Sequence, residues 1–205
     1  MTNQSNWDQH WKNTQKAFQF YEFLQKQQFK CYLELIGNRL NSHSKILEIG
    51  AGSGYLTRQL CSRFHCSAQL IDSSSEARRF FGLHNKNPRI RFRQMNAFEF
   101  KQENRFDLVF SDGLVEHFTG KKQKKLIFIH AKAAKKNGFL ILFVPRKSKR
   151  YSLIKKVCEL AGIWHFGYER PYTPKQFQKL LSQNGLKPEK TVKGLWEIGA
   201  ICVKK

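Results

Sequence analysis

The sequence is short of acidic residues, of proline and of long apolar runs, and each shortage excludes something. Fifteen acidic residues stand against 37 lysines and arginines, a net charge of +22, which favours anionic partners. The longest apolar run, Phe139–Val144, is far too short to cross a bilayer. Residues 1–7 lack a basic flank leading into an apolar stretch, so no secretory leader is expected. Five cysteines, at 31, 61, 66, 158 and 202, include no Cys-x-x-Cys pair and are odd in number. Free thiols in a reducing, cytoplasmic compartment are expected, not a zinc site or a disulfide framework. Histidines at 10, 43, 65, 84, 130 and 165 are scattered without metal-ligand spacing, so no metal is expected. With five prolines and no internal repeat or low-complexity linker, 205 residues suit a single sheet-and-helix core.

What is present is charge in one place and a 40% hydrophobic share typical of folded domains. From His117 to Cys158 there is no acidic residue, while thirteen lysines and arginines fall between 121 and 156. Such a field favours anionic partners: RNA, an acidic membrane surface or a phosphorylated small molecule. It equally suits a well-solvated surface.

Residues 1–44 are polar but aromatic, with Trp7, Trp11, Phe18, Phe20, Tyr21, Phe23, Phe29 and Tyr32, and neither Pro nor Gly before Gly37. One or two helices are expected there, as an extension or lid packed on the rest. Alternation begins at Lys45: strands at 45–49, 68–71, 90–95, 106–111 and 139–144, helices at 55–64, 75–83 and 122–136, the last ended by Asn137-Gly138. Thr173-Pro-Lys-Gln176 has the form of a helix start, Gly185 that of a helix stop. Two closing strands, 187–192 and 196–203, are too closely spaced for a crossover and should pair antiparallel. The result is an α/β, Rossmann-like fold: a mostly parallel seven-stranded sheet, an antiparallel C-terminal pair and helices on both faces. A helical insertion is expected at about 151–172, with Tyr151, Ile154, Val157, Cys158, Ala161 and Trp164 on one face as a lid.

The informative stretch is Ile46-Leu-Glu-Ile-Gly-Ala-Gly-Ser-Gly-Tyr-Leu-Thr57. It joins a strand to a helix, which places its turn at the carboxyl edge of the sheet, where ligands bind in such folds. Glycines at 50, 52 and 54 permit tight turns and close main-chain approach. Asp72 ends the next strand, 22 residues beyond Gly50, the usual distance for an acid that accepts from ribose hydroxyls. A nicotinamide fingerprint fails because Tyr55 stands where its third glycine would be, and a P-loop fails because Tyr55, not Lys, follows Gly54.

Glu48-Ile-Gly-Ala-Gly-Ser-Gly54 resembles motif I of class I S-adenosylmethionine-dependent methyltransferases. Leu114-Val-Glu-His-Phe118, Leu140–Pro145 and Glu169-Arg-Pro-Tyr-Thr-Pro174 resemble later segments of the type 11 group, which includes quinone-biosynthesis enzymes. The resemblance implies S-adenosylmethionine as cofactor and S-adenosylhomocysteine as product. By position it puts Gly50, Ala51 and Gly52 around the methionine part and Glu48 at its ammonium. It puts Asp72 and Ser73 at the ribose, Asn96 and Ala97 at the adenine, and Ser111, with Asp112 and Gly113, beside the amino acid.

For the chemistry, His117 is the candidate catalytic base, since its unperturbed pKa lies near neutrality. The Glu116-His117 pair is similar to the corresponding region of fatty-acid cyclopropane synthases. Tyr21 is the candidate substrate contact, because a buried hydroxyl needs a partner. Ser111-Asp112-Gly113-Leu114 lacks the Asp/Asn-Pro-Pro-Tyr/Phe signature of enzymes that methylate exocyclic amines of bases. A small-molecule acceptor, anionic or lipid-linked on the charge, is therefore expected first. An RNA methyltransferase is second, and a non-catalytic cofactor-binding scaffold third.

Overall fold

The computed structural model describes residues 4–16, 18–160 and 168–204, with side chains from Trp7 onward except at 15–20. Two helices come first, α1 (Gln4–Lys16) and α2 (Phe18–Ile36). Strand and helix then alternate: β1 (Lys45–Ile49), α3 (Tyr55–Phe64), β2 (Ser67–Asp72), α4 (Ser75–His84), β3 (Ile90–Gln94), β4 (Phe106–Asp112), α5 (Gly120–Ala133) and β5 (Ala134–Pro145). After α6 (Lys149–Leu160) come α7 (Pro174–Gln183), β6 (Pro188–Lys193) and β7 (Glu197–Val203). The sheet order is β3-β2-β1-β4-β5-β7-β6, with β7 antiparallel to both neighbours and the other pairs parallel.

Strand side chains alternate between two cores, as the period of two requires. On one face Leu47, Ile49, Val109, Leu140 and Leu142 pack with α5 and α7 through Leu126, Ile127, Phe177 and Leu181. On the other, Ile46, Leu108, Phe110, Ile141 and Phe143 pack with α2 and α3 through Tyr32, Leu35, Ile36, Leu56 and Leu60. Helix starts follow local chemistry. The Ser74 hydroxyl accepts from the Ala77 N–H ahead of α4, and Thr173 and Gln176 form a reciprocal capping box around Pro174.

Two expectations are corrected. α5 ends at Ala133, not Lys136, because Ala134 pairs with Phe106 and opens β5. Asn137 (φ +61) and Gly138 instead lie within β5, near the register shift between Phe106 and Leu108. On α6, Tyr151 and Cys158 are buried but Val157 is 53% exposed, so the expected lid face is narrower. Ala161, Trp164 and His165, and the Phe20 side chain, lie outside the described residues. Among the described residues no helix is long and apolar enough to cross a membrane.

Candidate functional site

β1 and β4 are neighbours whose following connections run to opposite sides, β1 toward β2 and β4 toward β5, and a cleft opens at their carboxyl ends. A cavity of about 1520 Å³ fills it, lined from the loops after β1, β2, β3 and β4 and roofed by α1. That exceeds the about 300–1,000 Å³ usual for one small ligand and leaves room for a cofactor and an acceptor together.

The glycine turn has φ of +72 at Gly50, +53 at Gly52 and +64 at Gly54, the left-handed region where a side chain is strained. Its amides are tied down: Gly50 and Ala51 N–H donate to the Ile71 carbonyl, and Gly52 N–H donates to Asp72 Oδ2 at 2.9 Å. Asp72 Oδ1 accepts from Ser74 N–H, also at 2.9 Å. Burial raises the Asp72 carboxyl and these backbone donors pull it back. Asp72 therefore fixes the turn and still lines the cavity beside Ser73. Glu48 is 3% exposed and pushed up to about 8 by burial, against the hydrogen bond that Thr57 donates to it. Asn96 and Ala97 line the far end. There the Asn96 Oδ1 already accepts from Phe98 N–H at 3.0 Å, which leaves one lone pair and the amide donors for a ligand.

Ser111 does not join them. It is fully buried in β4 and absent from the cavity wall, which Asp112 and Gly113 supply instead. Tyr21 lines the cavity, and its hydroxyl pairs with Ser53 Oγ at 3.3 Å; burial raises its pKa. His117 is brought in, but buried: its Nδ1 donates to the Tyr168 carbonyl at 2.7 Å, and burial lowers its pKa to about 4. The near-neutral pKa on which its choice as base rested is therefore gone.

α1 is held over the site at three points. The Trp7 ring meets His117 edge-on, the Asp8 carboxylate accepts from Ser74 Oγ and Glu76 N–H, and Trp11 lies against Gly52 and stacks on Phe80. Sequence reasoning missed Asp8, Glu169, Trp196 and Glu197. Each reaches the site from a remote segment, and no spacing signals it.

These residues fit S-adenosylmethionine. A tight glycine turn allows close approach, an anchored Asp72 suits ribose hydroxyls, and an uncompensated buried Glu48 suits an ammonium. Residues 46–138 match a family model described as a methyltransferase domain. A comparison with curated protein sequences finds no match. Among solved structures, a chain of the complex between the Haloferax volcanii Trm112 methyltransferase activator and a methyltransferase superposes with a TM-score of 0.73 at 11% identity, covering 94% of this chain and 96% of that one. Magnesium protoporphyrin IX methyltransferase from Synechocystis, with S-adenosylhomocysteine bound, gives 0.63 at 16% identity over 85% and 79%. Geranyl diphosphate C-methyltransferase from Streptomyces coelicolor gives 0.68 at 12% over 90% and 82%. At such identities the likeness is one of fold. Taken with the matched domain and the cofactor-shaped cleft, it gives the chain a methyltransferase domain over residues 46–138 on a class I, Rossmann-like methyltransferase fold.

Proposed function

We propose that the chain methylates a small molecule held in the inner part of the cavity, between the cofactor cleft and the wall formed by Trp7, Glu116, His117 and Trp196. The observation that carries this reading is the size and continuity of the cavity, which runs from Asn96 past Asp72 and Glu48 to Glu116 and Glu197. Glu48 would hold the cofactor's ammonium, Gly50, Ala51 and Gly52 its methionine part, Asp72 and Ser73 its ribose, and Asn96 and Ala97 its adenine. The chemistry the cofactor supplies is an electrophilic methyl group on a sulfonium. The chain's own residues orient the acceptor in line with it and exclude water. His117, neutral at physiological pH, orients the acceptor wall through its bond to Tyr168 and is too weak a base to carry the proton.

The expected anionic acceptor does not suit this chamber, whose inner wall carries Asp112, Glu116, Glu169 and Glu197. Among the described residues an anion meets lysine or arginine on the lining only at exposed Arg78 and Lys122. RNA stays second, favoured by the exposed Lys121, Lys122, Lys124 and Lys125 of α5.

Calorimetric titration with S-adenosylmethionine, S-adenosylhomocysteine and NADH tests the reading. Saturable binding of the first two alone is expected. Well-folded protein that binds neither would overturn it.

A further inference from the structure

Four carboxyl groups from four separate segments line the inner end of the cavity: Asp112 closing β4, Glu116 in the turn 115–117, Glu169 ahead of α7 and Glu197 opening β7. Glu116 is 1% exposed and Glu197 5%, and the Oε2 of each has no hydrogen-bond partner among the described residues. A Cβ placed on Gly113 would lie 3.4 Å from Glu116 Oε1 and 4.0 Å from Glu197 Oε1, so both carboxyls flank one cavity-lining glycine. Burial and the neighbouring acids hold both well above the usual carboxylate range, with Asp112 pushed up to about 6.

Held high in this way, such a group is neutral, and it ionises in the chamber only beside a positive partner, since an uncompensated buried carboxylate costs several kcal/mol, as an order of magnitude. His117 Nε2 lies 3.8 Å from Glu116 Oε1, but burial lowers its pKa to about 4, so it stays neutral and does not supply the charge. Arg78 and Lys122 are the lysine or arginine side chains on the described lining, and both are exposed. Among the described residues no group of three His, Cys, Asp or Glu could hold a metal ion. The cofactor does not suffice either: a sulfonium and an ammonium less one carboxylate give a net single positive charge, and Glu48 already claims the ammonium. The remaining wall is aromatic, with Trp7, Tyr168 and Trp196, whose ring faces attract cations.

We propose that this chamber receives a cationic nitrogen, and that the methyl acceptor is an amine whose ammonium group sits between Glu116 and Glu197. The assignment rests on the methyltransferase reading above and names its substrate class. The ammonium passes one proton to a carboxylate of the cluster. The freed nitrogen lone pair then forms the N–C bond while the C–S bond breaks and leaves its electron pair on sulfur. A methylated ammonium and neutral sulfur result, and the proton leaves the carboxyl for solvent with product release.

The test is a binding experiment on the full chain saturated with S-adenosylhomocysteine, read by tryptophan fluorescence and calorimetry. Benzylamine is titrated beside its neutral and anionic isosteres benzyl alcohol and benzoate, and butylamine beside butanol and butyrate. Each amine is expected to bind at least tenfold more tightly than its isosteres, and Glu116→Gln or Glu197→Gln to erase most of that preference. Amines that bind no better than their alcohols, or not at all, to the loaded chain overturn the assignment even if the variants fail to fold. In that case the methyltransferase reading stands. Absence of S-adenosylhomocysteine binding strikes that reading instead, and the amine assignment with it.

Discussion

Thr57, at the first turn of α3, donates a 2.6 Å hydrogen bond to Glu48 Oε2 on β1, and both side chains are buried. The bond fixes the carboxyl in the cleft but leaves it high, at about 8 against 4.5 in the open chain. A group protonated more readily in the folded state contributes stability that is present below its unfolded pKa and is lost as pH rises through the folded value. Glu48→Gln is therefore expected to gain stability relative to the parent between about pH 5 and 8, read from paired denaturation curves. A bound ammonium draws the Glu48 proton off. Calorimetry at neutral pH in buffers of different ionisation enthalpy should show proton release on S-adenosylhomocysteine binding by the parent, and none by the variant.

Asp72 carries two jobs. Asp72→Ala removes the acceptor for the Gly52 and Ser74 amides as well as the candidate ribose contact. S-adenosylhomocysteine affinity should fall by about 100-fold or more, and stability by about 1–3 kcal/mol for orphaned donors. Unchanged affinity in a titration would remove Asp72 from the cofactor site.

The buried histidines act against the buried carboxyls as pH falls. His117 and His130 are each lowered to about 4 by burial, from 6.5. Groups held neutral in this way contribute stability that is lost as pH falls from 6.5 toward 4, up to about 3 kcal/mol each at 1.36 kcal/mol per unit. Relative to the parent, His130→Gln should therefore gain melting temperature as pH falls across that window, in paired thermal scans. In Trp7→Ala, which uncovers the His117 ring, the His117 proton resonances should titrate at higher pH than in the parent.

Asp8 acts as a second cap on α4, reaching Ser74 Oγ and the Glu76 amide from α1. Asp8→Ala should cost about 0.5–2 kcal/mol, as cap losses do. Because α1 then loosens over Gly52, cofactor dissociation should also speed up in stopped-flow fluorescence.

The basic surface of α5 is separable from the chamber. Lys121→Glu with Lys124→Glu, both exposed and off the cavity wall, should leave S-adenosylhomocysteine affinity within about twofold. The same pair should flatten the salt dependence of any retention on RNA.

Read as sequence, the chain determines its architecture and the cofactor edge of its site. The near-continuous apolar runs Phe106–Ser111 and Phe139–Val144, separated by helical stretches, leave no other way to bury both faces of the strands. Glu48, the glycine turn and Asp72 are legible because local geometry, strand to turn to helix, fixes where they stand. The end of α5 was misread because Asn137-Gly138 has the form of a helix stop, whereas the pairing of Ala134 with Phe106 decides the boundary. The inner end of the cavity is wholly tertiary. Glu197 reaches Asp112 only through the antiparallel register that sets it against Pro145, and Trp7 reaches His117 only because α1 docks on α4. Composition is silent on the cavity for the same reason. Net charge of +22 sums over the surface, while the chemistry of a cavity is set by the few groups that folding brings together away from water.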